Sequence, residues 1–114
     1  MIDDTSRFSQ YRVMWILVFF DLPTDTKKER KAAAKFRKDL MGDGFDMFQY
    51  SIYVRHCASR ENADVHQKRV KTMLPESGQV CCFSITDKQF SEIDIWVGKQ
   101  KEPPKTMGFQ LELF

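Results

Sequence analysis

The sequence predicts an α+β domain. Three observations carry that expectation. Residues 13–20 form an apolar run rich in β-branched and aromatic side chains, and residues 25–41 then switch to a helical period. A strand-like stretch, a second helical stretch and a third mostly apolar strand follow in that order. Strand, helix, one or two strands, helix, strand is the succession of a split βαβ unit, the ferredoxin-like βαββαβ arrangement, here with an additional C-terminal strand. With 114 residues the chain has room for one core. Ten Phe, three Tyr and two Trp are too many apolar rings for a disordered chain.

The elements follow from local patterns. Residues 1–10 are polar and read as a flexible tail. Residues 11–20 are apolar at both parities, so this strand belongs in the middle of a sheet, covered on both sides or at a dimer interface. It ends at Asp21-Leu22-Pro23-Thr24, where Pro23 cannot continue a ladder and Thr24 or Asp25 can cap a helix. Along residues 25–41, Ala33, Phe36 and Leu40 make one apolar stripe, while Lys27, Lys31, Lys35 and Lys38 line a different face. Gly42 and Gly44 supply the stop and the turn. Residues 45–57 alternate, with Phe48, Tyr50, Ile52 and Val54 on one parity and Gln49, Ser51, Tyr53 and Arg55 on the other. They form one long bent strand or two short ones.

Ser59 caps a second helix that runs to about Leu74, with Ala63, His66, Val70 and either Met73 or Leu74 inward; Pro75 ends it. Ser77-Gly78 is a turn before a strand at 79–86, and residues 90–97 hold a further short strand or turn. Residues 98–105 read as a Pro-containing linker, and 109–113 alternate as a half-buried edge strand suited to pairing with another subunit. The organisation is thus a tail (1–10), a ferredoxin-like domain (11–98), and a linker with an edge strand (99–114). A sheet with both helices on one face needs its other face covered, so a homodimer is expected.

Charge and composition exclude several function classes. The longest apolar run is far short of the about 20 residues a spanning helix needs, so no membrane partner is expected. Three Cys, two of them adjacent, make neither a disulfide framework nor a zinc pattern, which points to a reduced, cytoplasmic protein. No glycine-rich phosphate loop or G-x-S-x-G elbow is present. His66 falls on an inner stripe, and Cys57, Cys81 and Cys82 read as small core residues. The net charge of +2 conceals an asymmetry: residues 24–41 carry seven Lys/Arg against three Asp/Glu, whereas residues 76–97 hold one Lys against four acids. A basic helical face is the electrostatic footprint of phosphate binding, and equally the composition of a solvated helix.

Asp21 is the acid of most interest, standing where an apolar strand emerges beside a basic helix. A carboxylate there can hold a hard cation such as Mg²⁺ next to a phosphate, and two copies near a dimer axis would supply the pair such a site needs. Asp21 also suits the start of a turn before Pro23.

Residues 15–23 (W-I-L-V-F-F-D-L-P), 27–31 (K-K-E-R-K), 44–53 (G-F-D-M-F-Q-Y-S-I-Y) and 83–90 (F-S-I-T-D-K-Q-F) together resemble the CRISPR-associated Cas2 family over residues 11–98. The D-L-P variant and the stretch at 85–90 resemble members that accompany Cas9 (type II) systems. The resemblance implies a ferredoxin-like homodimer that bridges dimers of the Cas1 integrase along double-stranded DNA during spacer acquisition. It also implies a metal-dependent endonuclease on RNA or double-stranded DNA, with Asp21 as the catalytic acid and ligand of Mg²⁺ or Mn²⁺. Lys28 and Arg30 match the family's basic positions, and Tyr53 matches the aromatic that ends its Gln-x-Ser signature. Two positions depart from the pattern: Phe20 stands where a Tyr often precedes the acid, and Met47 where a basic residue often precedes the signature. Both departures bear on nuclease activity more than on DNA binding. Lys27, Lys28, Arg30, Lys31 and Arg37 are expected to contact phosphate with little base preference, and residues 107–114 to face a partner. Three readings stand at this point: a DNA-binding scaffold, an independent nuclease, and a ferredoxin-like ligand-binding dimer, since such folds host many functions.

Overall fold

Strand β1 (Met14–Asp21) is the axis of the molecule. In the computed structural model, which describes residues 11–102, it lies between two antiparallel neighbours in a four-stranded sheet of order β2-β3-β1-β4. The flanking elements are helix α1 (Lys27–Gly42), strands β2 (Asp46–Gln49) and β3 (Ile52–Cys57), helix α2 (Arg60–Met73) and strand β4 (Gln79–Thr86). This is the ferredoxin-like βαββαβ order that the sequence predicts. The tail at 1–10 and the edge strand at 109–113 lie outside the described residues.

Alternation along β1 separates two cores. Met14, Ile16, Val18 and Phe20 point to the helices and join Phe36, Leu40, Tyr53, Ala63 and Val70 in the main core. Trp15 and Leu17 point the other way and pack with Val54 and Phe90. The second core is held by a short helix α3 (Asp87–Ser91), where the sequence predicts no helix. Trp15 stacks on Phe90 with ring centroids 4.0 Å apart, and its indole N–H donates to Asp87 Oδ1 at 2.7 Å. Thr86 caps α3 in a reciprocal box with Gln89, a T-x-x-Q signal that is visible in the sequence. His56 lies edge-on to Trp15, and its Nε2 is buried without a hydrogen-bond partner. Burial lowers the His56 pKa, against the raising effect of Asp87, and so favours the neutral ring.

Two boundaries differ from expectation, and one alternative on α2 is resolved. The N-cap of α1 is Thr26, not Thr24 or Asp25. Only Thr26 has a Glu three residues on, and the Glu29 carboxylate returns to accept the Thr26 N–H at 2.8 Å. On α2 it is Met73 that packs against the core, while Leu74, the C-cap, is exposed. Residues 98–102 are not a linker: β5 (Ile95–Val97) pairs with β6 (Gln100–Glu102) across Gly98-Lys99, and Gly98 takes the positive φ of a tight hairpin.

Asp43 joins the end of α1 to α2. It accepts from Arg69 Nη1 at 2.9 Å and pairs with buried His66 Nδ1 at 2.8 Å, while its backbone carbonyl accepts from Arg55 Nε at 2.8 Å. Burial alone would raise the Asp43 carboxyl, but the hydrogen bonds and charges of His66 and Arg69 outweigh it and hold the pKa below the ordinary value. A depressed carboxylate pKa contributes stability that is complete above the unfolded-state value of 3.8 and is lost as pH falls through the lower folded-state value. Wild type is therefore expected to lose stability below that unfolded value in urea titrations. Asp43→Ala should flatten this acid limb and cost about 1–3 kcal/mol at neutral pH, because His66 Nδ1 is then buried without a partner.

Candidate nucleic-acid interface and acidic rim

The capping box fixes where α1 begins, and that sets which of its basic residues face water. Lys27, Lys31 and Lys38 lie within about 40° of one another around the helix and opposite the buried stripe of Ala33, Phe36 and Leu40. All three are exposed, and none has an ion-pair partner among the described residues. Lys28 is likewise exposed and unpaired, about 60–100° around the helix from these three, whereas Lys35 pairs with Asp39 at 2.7 Å. Exposed Ala34 has basic residues at all four of its helical neighbours, Arg30, Lys31, Arg37 and Lys38. A small residue ringed by cations lets a phosphate backbone come close to the helix.

The two arginines also hold local structure. Arg30 Nη1 donates to the carbonyls of Thr24 and Asp25 at 3.0 and 3.2 Å, tying down the β1–α1 loop. Arg37 is half-buried: its guanidinium lies 4.0 Å from the Tyr50 ring centroid and 5.3 Å from that of Phe20, and its Nε donates to the Tyr50 carbonyl at 3.4 Å. Sequence parity groups Tyr50 with Phe48, Ile52 and Val54. The ladder slips between Met47 and Gln49, and the Tyr50-Ser51 turn carries the Tyr50 ring to the Arg37 side.

Asp21 shares the parity of Trp15, Leu17 and Phe19, which places it on the face away from the helices. It is exposed and unpaired among the described residues, and it lines a shallow depression with Phe19, Ser51, Ile52, Gln79 and Cys81. The apolar floor of this face is open: Phe19 is 38% and Phe83 40% exposed, their rings edge to face at 5.3 Å. Cys81, expected in the core, is exposed here opposite Phe19, while burial pushes the Cys82 thiol up to about 11. A cavity of roughly 600 Å³ between α1 and residues 72–77 does not include Asp21.

Tyr53 sits away from the surface. It is 2% exposed and packs in the main core with its ring 5.7 Å from Phe20, so it supports the strand end that carries Asp21. Burial raises its phenol pKa, with the Arg37 charge opposing. Among the described residues no three His, Cys, Asp or Glu gather as a metal-binding group. The donor chemistry of Asp21 still suits a hard cation, which takes one or two carboxylates with water and phosphate oxygens. One protomer supplies one such carboxylate, and a second copy packed on the open face would bring another.

The family model for "CRISPR associated protein Cas2" matches residues 14–93. A CRISPR-associated endoribonuclease Cas2 of Flavobacterium psychrophilum is 57% identical over 109 residues, covering 96% of this chain and 95% of that protein. One from Parvibaculum lavamentivorans is 55% identical over 101 residues, covering 89% of this chain and all of the relative. A third, from Paracidovorax avenae, is 42% identical over 104 residues.

The rim depends on Gly78. Its φ is +98°, and a Cβ there would lie 2.8 Å from the Asp21 carbonyl oxygen and 3.0 Å from Leu22 Cα. Gly78→Ala is expected to cost at least about 1–3 kcal/mol in thermal or urea unfolding, since strain and backbone crowding add. The Asp21 backbone amide should shift in the NMR spectrum of the variant, whereas Gly42→Ala, with open space around it, should leave that resonance in place.

Proposed function

The chain belongs to the Cas2 family of CRISPR-associated proteins, and from that premise we propose that it acts in CRISPR adaptation as a homodimeric scaffold. In this reading the dimer binds double-stranded DNA and bridges Cas1 integrase dimers during spacer acquisition. The observation that carries the DNA-binding part is the unpaired face of Lys27, Lys31 and Lys38 on α1. These side chains are point charges on flexible stems, suited to phosphates and indifferent to base sequence. Indifference is what a protein handling fragments of unrelated sequence requires. The homodimer is supported by the open face of Phe19 and Phe83, which a second copy would cover. Bridging of Cas1, and association with a Cas9 system, rest on the resemblance at 15–23 and 83–90.

A second reading is favoured by the position of Asp21 and by the relatives named as endoribonucleases. Here the dimer is an endonuclease on RNA or double-stranded DNA, and paired Asp21 carboxylates hold Mg²⁺ or Mn²⁺. When bound, such an ion supplies Lewis-acid polarisation of a phosphoryl oxygen. The chain's own contribution is positional. Arg30 anchors the loop after Asp21, Tyr53 and Phe20 pack beneath the strand end, and Lys28 is available to phosphate.

Two experiments test these readings. Replacing Lys27, Lys31 and Lys38 together by Gln should weaken duplex binding and flatten the slope of log affinity against log salt by about 0.9 for each phosphate contact removed. An unchanged slope would remove the scaffold reading's main support. Asp21→Ala should leave duplex binding intact. Metal-dependent cleavage of labelled RNA or DNA, present in wild type and lost in Asp21→Ala, would establish the nuclease reading. Absence of cleavage from both proteins would dismiss it.

A further inference from the structure

Tyr50 is 70% exposed, yet its position is fixed from two sides. The Arg37 guanidinium stacks on one face of the ring at 4.0 Å. The turn beneath is pinned by Arg37 Nε donating to the Tyr50 carbonyl and by Phe20 N–H donating to the Ser51 carbonyl at 3.0 Å. A lone exposed aromatic needs no explanation. A ring held in place on a guanidinium, beside a helical face ringed with cations, presents a preorganised planar surface where a nucleic-acid backbone would run. Tyr50 leans toward α1 through this stack, whereas Phe19 and Phe83 lie on the open face.

We propose that the Tyr50–Arg37 stack is a platform for an unpaired nucleobase, so that the nucleic acid lying along α1 carries a single-stranded segment at the β2–β3 turn. The inference rests on the nucleic-acid reading above and adds a ligand class to it. Aromatic rings and guanidinium planes both stack bases without regard to sequence, because every base has a π-face. Inside an intact duplex those faces are occupied by neighbouring bases, and a surface ring cannot reach them without unstacking a step. An overhang or other single strand offers the face at no such cost. Arg37 is thereby a positioning residue that holds the ring, which fits its half-buried place better than a direct phosphate contact does.

The test compares three labelled probes by anisotropy at fixed salt: a blunt duplex, the same duplex with a single-stranded overhang, and that overhang with abasic sugars. Wild type should bind the overhang roughly 5- to 150-fold more tightly than the blunt duplex, the range expected from stacking one base at about 1–3 kcal/mol. The abasic probe should lose this gain, as should Tyr50→Ala. Tyr50→Phe and Tyr50→Trp should retain it, and all variants should bind the blunt duplex as wild type does. Equal wild-type affinity for the three probes would overturn the platform while leaving the scaffold intact. So would a Tyr50→Ala loss that is the same for blunt and overhang probes. Failure of wild type to bind any probe at low salt would defeat the scaffold reading itself, and the platform with it.

Discussion

Burying β1 on both faces is the constraint from which the rest of the molecule follows. A strand that is apolar at every position from Met14 to Phe20 cannot lie at an edge or face water, so it takes the centre of the sheet with β3 and β4 on either side. One face is covered by α1 and α2 through Phe36, Leu40, Ala63 and Val70. The other is covered along only part of its length, where α3 brings Phe90 onto Trp15. What remains open is the end of β1 that carries Phe19 and Asp21. The acid and the apolar patch therefore belong to one surface, and whatever covers the patch approaches the acid.

The basic helix is on the opposite side of the sheet, so the candidate DNA-contacting and acidic surfaces of one protomer face different ways. They meet only at the end of the sheet, where the β1–α1 loop and the Tyr50-Ser51 turn lie side by side. Arg30 and Arg37 hold those two segments. Lys27, Lys31 and Lys38 stay unpaired among the described residues while the arginines hold backbone carbonyls, as their chemistry suggests: a planar, forked donor fixes geometry better than a point charge on a flexible stem.

Much of the fold was legible because it is written in local periodicity. The two-sided apolar strand, the stripe Ala33-Phe36-Leu40, the Ser59 cap and the stop at Pro75 all came from spacings of one to seven residues. Structure departs from sequence pattern where one local signal outweighs another or is too short to show. Thr24 and Asp25 are good caps in isolation and lose to Thr26 because of Glu29. The Thr86–Gln89 box marked α3, but its five residues are too few for a helical period to show. The site was less legible. A charge count identifies α1 as basic without revealing that Arg37 lies on Tyr50, because that contact depends on a ladder slip in β2 just before Tyr50. Tyr53 carries a signature position, and only packing shows it to be core.

The sheet order also fixes when the chain can close its core. The neighbours of β1 are β3, which starts at Ile52, and β4, whose far end Thr86 pairs with Met14. During synthesis the most apolar segment thus emerges early and waits for nearly the whole domain before its second edge is occupied. Until then an unpaired, two-sided hydrophobic strand is exposed to any other chain nearby, a situation in which β pairing goes wrong. Native contacts this distant in sequence form late and make for slow folding. A domain built in this way makes its aggregation hazard before its remedy.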